Sequence, residues 1–120
     1  RTSYPVPAAR LWTAVSATLQ AEGIPVANSD RAQWRLTTEG VEGETRMAIG
    51  ILGAAGFTTR YRLTITISPT GRSSTLTVNA IIESSEAGQG QWLNVTRDYP
   101  RQATGIEQWF KSRVEAQLGQ

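Results

Sequence analysis

The feature that most constrains the fold is a pair of alternating runs on either side of a Pro/Gly turn. In residues 58–68, Thr59, Tyr61, Leu63, Ile65 and Ile67 fall on one side, and Thr58, Arg60, Arg62, Thr64, Thr66 and Ser68 on the other. Side chains of a strand project alternately, so a period of two specifies a strand with one apolar and one polar face. After Pro69-Thr70-Gly71-Arg72 the alternation resumes. Leu76, Val78, Ala80 and Ile82 lie on the apolar side and Thr75, Thr77, Asn79 and Glu83 on the polar side, with Ile81 an exception. Two such runs joined by a turn predict an antiparallel hairpin with one wet face. The dry face needs a cover, and helices on that face are the simplest one.

Two segments have the period of such helices. In residues 8–21, Leu11, Val15 and Leu19 form a four-residue stripe flanked by Ala8, Trp12 and Ala14, while Arg10, Gln20 and Glu22 lie off it. Pro7 suits the first turn, and Gly23 followed by Pro25 suits the stop. Asp98-Tyr99-Pro100 opens a second helix to about Leu118, with Ala103, Ile106, Trp109, Phe110, Val114 and Leu118 as its apolar face. Gly105 weakens its first turns by about 1 kcal/mol relative to Ala.

The other elements read more faintly. A short edge strand fits Tyr4-Pro5-Val6-Pro7, an extended patch fits 24–27 with Asn28-Ser29-Asp30 ending it, and a strand fits 34–39. Residues 40–43 read as a turn, 44–51 as a segment pairing back, 84–91 as a polar loop and 92–96 as extended. The predicted fold is α+β of helix-grip type. It is an antiparallel sheet with two helices on one face, in the order β-α-β-β-β-β-α. A chain of 120 residues buries about two-thirds of its surface, enough for one core, so a single domain over 1–120 is expected.

Composition narrows the chemistry. The chain has no Cys and no His, which excludes a zinc finger, a thiol nucleophile, a Ser-His-Asp triad and an internal disulfide. The net charge of +2 comes from 12 Lys and Arg against 10 Asp and Glu dispersed along the chain, and nothing resembles a nucleic-acid arm. No apolar run reaches the roughly 20 residues that cross a bilayer; the longest, 47–57, is broken by Gly50, Gly53 and Gly56.

Glu39, Glu42 and Glu44 form a carboxylate group in a Gly-rich turn, where ordinary solvated carboxylates are expected rather than an acid/base pair. The stretch 50–56 lacks the spacing of a phosphate loop and runs into a strand, so a strand bend or an apolar loop is expected. Trp12, Trp109 and Tyr61 read as core, whereas Trp34 and Trp92 stand beside polar stretches and read as exposed. Arg60 and Arg62, with Thr64, Thr66, Thr75 and Thr77 around them, coat the wet face of the hairpin. The expected partner surface is Arg60, Arg62, Thr64, Thr66 and Trp92, with the apolar stretch 51–57 as a second contact region.

Tyr4-Pro5-Val6-Pro7 followed by Arg10-Leu11-Trp12-Thr13-Ala14-Val15 on a first helix, then an antiparallel sheet and a closing helix, resembles the domains of the BamC family and related bacterial envelope lipoproteins. In that pattern Trp12 packs the first helix on the sheet, 34–38 matches the second strand and 61–67 a central strand. The resemblance implies a periplasmic, non-enzymatic domain that works by protein contact in outer-membrane β-barrel assembly. It further implies anchoring to the outer membrane through a lipidated Cys upstream of Arg1. No cofactor, metal or nucleic acid is expected. A domain that encloses a lipid or another small apolar ligand between sheet and second helix is the alternative, and an enzyme built on Glu39, Glu42 and Glu44 the remote third.

Overall fold

The computed structural model describes residues 1–42, 57–86 and 92–119. Its spine is the predicted hairpin. β5 (Phe57–Thr70) and β6 (Ser73–Glu86) pair without a break from Phe57 opposite Glu86 to Thr70 opposite Ser73. Fourteen residues of strand extend about 46 Å at roughly 3.3 Å per residue, so the hairpin accounts for the 49 Å long axis of the molecule.

The turn is tighter than expected. Pairing continues through Pro69 and Thr70, leaving Gly71 and Arg72 as a two-residue loop. Gly71 takes φ +65° and Arg72 stays outside the left-handed region, as a type II′ turn requires. At the other end, 84–86 belong to β6 rather than to a polar loop, with Ser84 and Ser85 buried. Small hydroxyl side chains read as loop in isolation, but here the partner strand supplies their backbone bonds.

Shorter strands flank the hairpin on both sides, every pair antiparallel. β1 (Thr2–Tyr4) and β7 (Leu93–Asn94) lie along β6, while β3 (Arg35–Thr38) and β4 (Val41–Glu42) lie along β5. β2 (Val26–Asp30) pairs with β3 and forms the sheet edge, giving the order β1-β6-β5-β3-β2. The expected element order holds, with β4 as an added short strand and β7 within the segment 92–96 read as extended. Further boundaries differ from the sequence reading: β1 is Thr2–Tyr4 and stops before Pro5, the polar cluster 28–30 is strand, and 41–42 pair with β5 instead of turning. β2 is exposed at every residue, so its strand character comes from backbone pairing alone and leaves no hydropathy signal. The stretches 44–51 and 50–56 lie outside the described residues.

Both helices cover one face of the sheet. α1 (Ala8–Ala21) buries Leu11, Val15 and Leu19 as predicted, and it ends in a Schellman arrangement. Gly23 sits at φ +70°, its N–H donates to the Gln20 carbonyl at 3.2 Å, and the Ile24 N–H donates to the Leu19 carbonyl at 2.9 Å. α2 (Pro100–Leu118) buries Ala103, Ile106, Phe110 and Val114 on α1, β6 and the core. The core stacks Tyr61, Leu63, Ile65 and Ile67 of β5 and Leu76, Val78, Ala80 and Ile82 of β6 against these helix residues.

Polar contacts hold α2 in place. The Tyr4 hydroxyl donates to Glu115 Oε2 at 2.8 Å, and Arg10 Nη2 donates to the Leu118 carbonyl at 2.9 Å, a cation at a helix C-terminus. Glu107 reaches the edge of β6 between β1 and β7 and accepts the Ala80 N–H at 2.9 Å; Thr96 Oγ1 accepts the Ile82 N–H at 2.9 Å. Backbone donors that β1 and β7 leave unpaired are thereby satisfied from the helix side.

Candidate interaction surface

The wet face of the sheet lies opposite both helices. Thr64 stands across from Asn79, Thr66 from Thr77 and Ser68 from Thr75, and Ser3 Oγ lies 3.0 Å from Thr75 Oγ1. Cross-strand hydroxyl pairs of this kind stabilise a solvated sheet face without covering it.

Toward the open end of the hairpin the face carries a charged cluster. Arg60 Nε donates to Glu83 Oε1 at 2.6 Å, directly across the β5–β6 ladder. The Arg60 guanidinium lies 4.1 Å from the Trp92 ring centroid, just before β7. On another side it meets the backbone at Gly40, where an added Cβ would overlap Arg60 Cδ. Gly40 is therefore the residue that admits the side chain. Arg62, two positions on, places Nη1 3.9 Å from Glu83 Oε2 and donates from Nε to the Thr38 carbonyl at 3.4 Å. Among the described side chains, two guanidiniums share one carboxylate. The exposures assign the roles: Arg60 and Glu83 are 23% and 12% exposed, Arg62 is 40% exposed. Arg60 is held from three sides, and Arg62 is the cation that meets solvent.

Of the five residues expected to form a partner surface, Arg60, Arg62 and Trp92 come together in this cluster. Thr64 and Thr66 lie further along the same face, half-buried and apart from the charges. The aromatic expectations need correction. Trp92 is half-buried with Arg60 on its ring, and Trp34 is half-buried with its ring edge-to-face on Trp12, centroids 6.0 Å apart. Trp12 and Trp109 sit at the margin of the core rather than inside it, while Tyr61 is buried as expected. Glu83 was visible in the sequence only as a wet-face residue. The exact loop, Gly71–Arg72, sets the register that makes it the partner of Arg60. Gly40 carried no signal.

Glu39 is exposed, and Glu44 lies outside the described residues, as do 51–56 of the apolar stretch. Among the described residues no group of three Asp or Glu side chains is placed to hold a metal ion. No buried side-chain nitrogen or oxygen among them lacks a partner. A shallow groove of about 200 Å³ between α1 and the end of α2, lined by Arg10, Thr13, Ala14, Ala17, Gln117 and Leu118, opens to solvent. No family model matches the chain, and no curated protein matches it in sequence.

Proposed function

We propose that this chain is a non-catalytic protein-interaction domain of the bacterial envelope, of the kind carried by BamC-related lipoproteins, and that it docks its partner on the open sheet face. The observation that carries this reading is the one-sided cover among the described residues: both helices pack on one face, and the other presents a hydroxyl-coated surface ending in the braced Arg60–Glu83–Trp92 cluster with Arg62 partly exposed beside it. A braced surface loses little conformational entropy on binding, which favours recognition by contact. The interior between sheet and α2 is occupied by Phe110, Ile106, Val114 and Tyr61, which supports contact outside over carriage of an apolar ligand inside.

The test places a photo-crosslinking residue at Thr64 or Thr66 on the open face and, as control, at the exposed Gln108 on α2. Crosslinks from the sheet positions to one envelope protein, absent from Gln108, are expected. Equal labelling from both faces, or none from the sheet, refutes the docking assignment. Separately, metabolic labelling with a palmitate analogue and membrane fractionation of the cellular protein test the lipoprotein assignment, which fails if the protein is unlabelled and absent from membranes.

A further inference from the structure

A second arginine is seated on tryptophan at the other end of the sheet. The β2–β3 turn carries Arg31, whose Cζ lies 4.4 Å from the Trp34 ring centroid and 5.7 Å from that of Trp12 on α1. Trp34 has φ +56°, in the left-handed region that a bulky L residue avoids. The turn holds it there: its N–H donates to the Arg31 carbonyl at 3.2 Å, and its carbonyl accepts the Ile67 N–H at 2.9 Å. Asp30 Oδ1 accepts the Gln33 N–H at 3.2 Å, which ties the same turn from its other side. This strained backbone directs the Trp34 ring edge-to-face onto Trp12 and under the Arg31 guanidinium. Strain retained at an exposed turn points to a use for the geometry it imposes.

The chain contains its own illustration of what such an arrangement takes. At the open end, Arg60 is stacked on Trp92 and a carboxylate, Glu83, occupies its Nε edge at 2.6 Å. At the β2–β3 turn the stacked arginine is exposed and has no ion pair among the described residues; the adjacent Asp30 is turned to the backbone of Gln33 and lies opposite Arg35 across the ladder. A planar guanidinium fixed on an indole face keeps its N–H fork free and pre-oriented for a carboxylate. We infer that Arg31, Trp34 and Trp12 form a second recognition site, which takes a carboxylate side chain from an acidic segment of a protein partner as Arg60 takes Glu83. Ile67, bonded to Trp34, is seven residues from Arg60 on β5, so the two sites are about 23 Å apart at roughly 3.3 Å per residue and can fail independently.

The test is an NMR titration of the ¹⁵N-labelled chain with a hexaglutamate peptide, read at the indole N–H signals of its four Trp residues. Saturable shifts of Trp12 and Trp34 are expected, with Trp92 and Trp109 unmoved and affinity falling as NaCl rises. Arg31→Gln, at an exposed position, is expected to weaken binding roughly tenfold or more while lowering the melting temperature by no more than about 5 °C through the lost contact with the indoles, and Arg31→Lys, which keeps charge but not the fork, to weaken it less. No saturable shift, an unchanged titration in Arg31→Gln, or equal affinity for inorganic phosphate at matched ionic strength overturns the inference. None of these results bears on crosslinking from Thr64 and Thr66.

Discussion

The Arg60–Glu83 pair is expected to stabilise the sheet by about 1–2 kcal/mol, and a double-mutant cycle isolates that figure. Unit charges about 4 Å apart attract by roughly 4 kcal/mol at an effective dielectric of 20 and by about 1 kcal/mol in water. With Arg60 at 23% and Glu83 at 12% exposure the pair lies between a surface bridge and a buried one. Desolvation of both partners removes part of the attraction, which leaves the range given. Glu83→Gln keeps shape and an acceptor, and Arg60→Met keeps a stem between Gly40 and Trp92, so neither opens a large void. Urea unfolding of wild type, the two single variants and the double variant gives the coupling energy. Each single variant is also expected to lower the melting temperature, by about 3–6 °C per kcal/mol at this size. In 1 M NaCl the coupling shrinks toward half as the Debye length falls to about 3 Å. Additive effects within about 0.3 kcal/mol, or a coupling indifferent to salt, would refute the view that this pair braces the open face.

Arg62→Ala is expected to change stability by about 1 kcal/mol or less yet to reduce crosslinking from Thr64 and Thr66, because its contacts to Glu83 at 3.9 Å and to the Thr38 carbonyl at 3.4 Å are long and its side chain is 40% exposed; unfolding and crosslinking yields read on the same variant check this. Phe110→Ala leaves a void under the sheet and costs about 3–5 kcal/mol, measured by the urea midpoint. Glu107→Ala strands the Ala80 N–H on the β6 edge, costing about 1–3 kcal/mol, and is expected to promote edge-to-edge self-association detectable by sedimentation. Burial, together with the bond to Glu115, raises the Tyr4 phenol above its ordinary value of about 10, so its contribution is complete below pH 10 and is lost as pH climbs beyond it. Tyr4→Phe is therefore expected to flatten the decline in stability above pH 10, which a series of urea curves would show.

What could be read from the residues follows from where the determining information is local. α1 was legible to its ends because Pro7, the Leu11–Val15–Leu19 stripe and Gly23 are all local signals, and the described helix is Ala8–Ala21. The hairpin faces were legible because a period of two is written into every residue of β5 and β6. β2 was missed in part because all five of its residues are exposed: a strand stabilised by backbone pairing with β3 has no reason to alternate. The ends of β6 were misjudged for a related reason, since Ser84 and Ser85 are buried by what surrounds them rather than by their own hydropathy.

The two arginine–tryptophan clusters depend on a finer kind of information. Arg60 and Trp92 are 32 residues apart in the chain, and only the Gly71–Arg72 loop, the β6–β7 register and the absence of a side chain at Gly40 bring them together. Arg60, Arg62 and Trp92 are chosen from the sequence as wet-face residues, and the structure brings them together around Glu83, a contact that a wet-face reading does not reveal. At Arg31 the register acts through the backbone instead. Nothing in Arg31-Ala32-Gln33-Trp34 announces a left-handed tryptophan, because φ +56° is imposed by the four-residue loop between Asp30 and Arg35 and by the Ile67 bond, both consequences of strand register. In this chain, then, Arg60 is held within the sheet, Arg62 keeps part of its side chain in solvent, and Arg31 is exposed, stacked on Trp34 and without an ion pair among the described residues. Which guanidinium keeps its N–H fork free is decided by where the sheet already supplies a carboxylate, and that is settled only when the strands are in register.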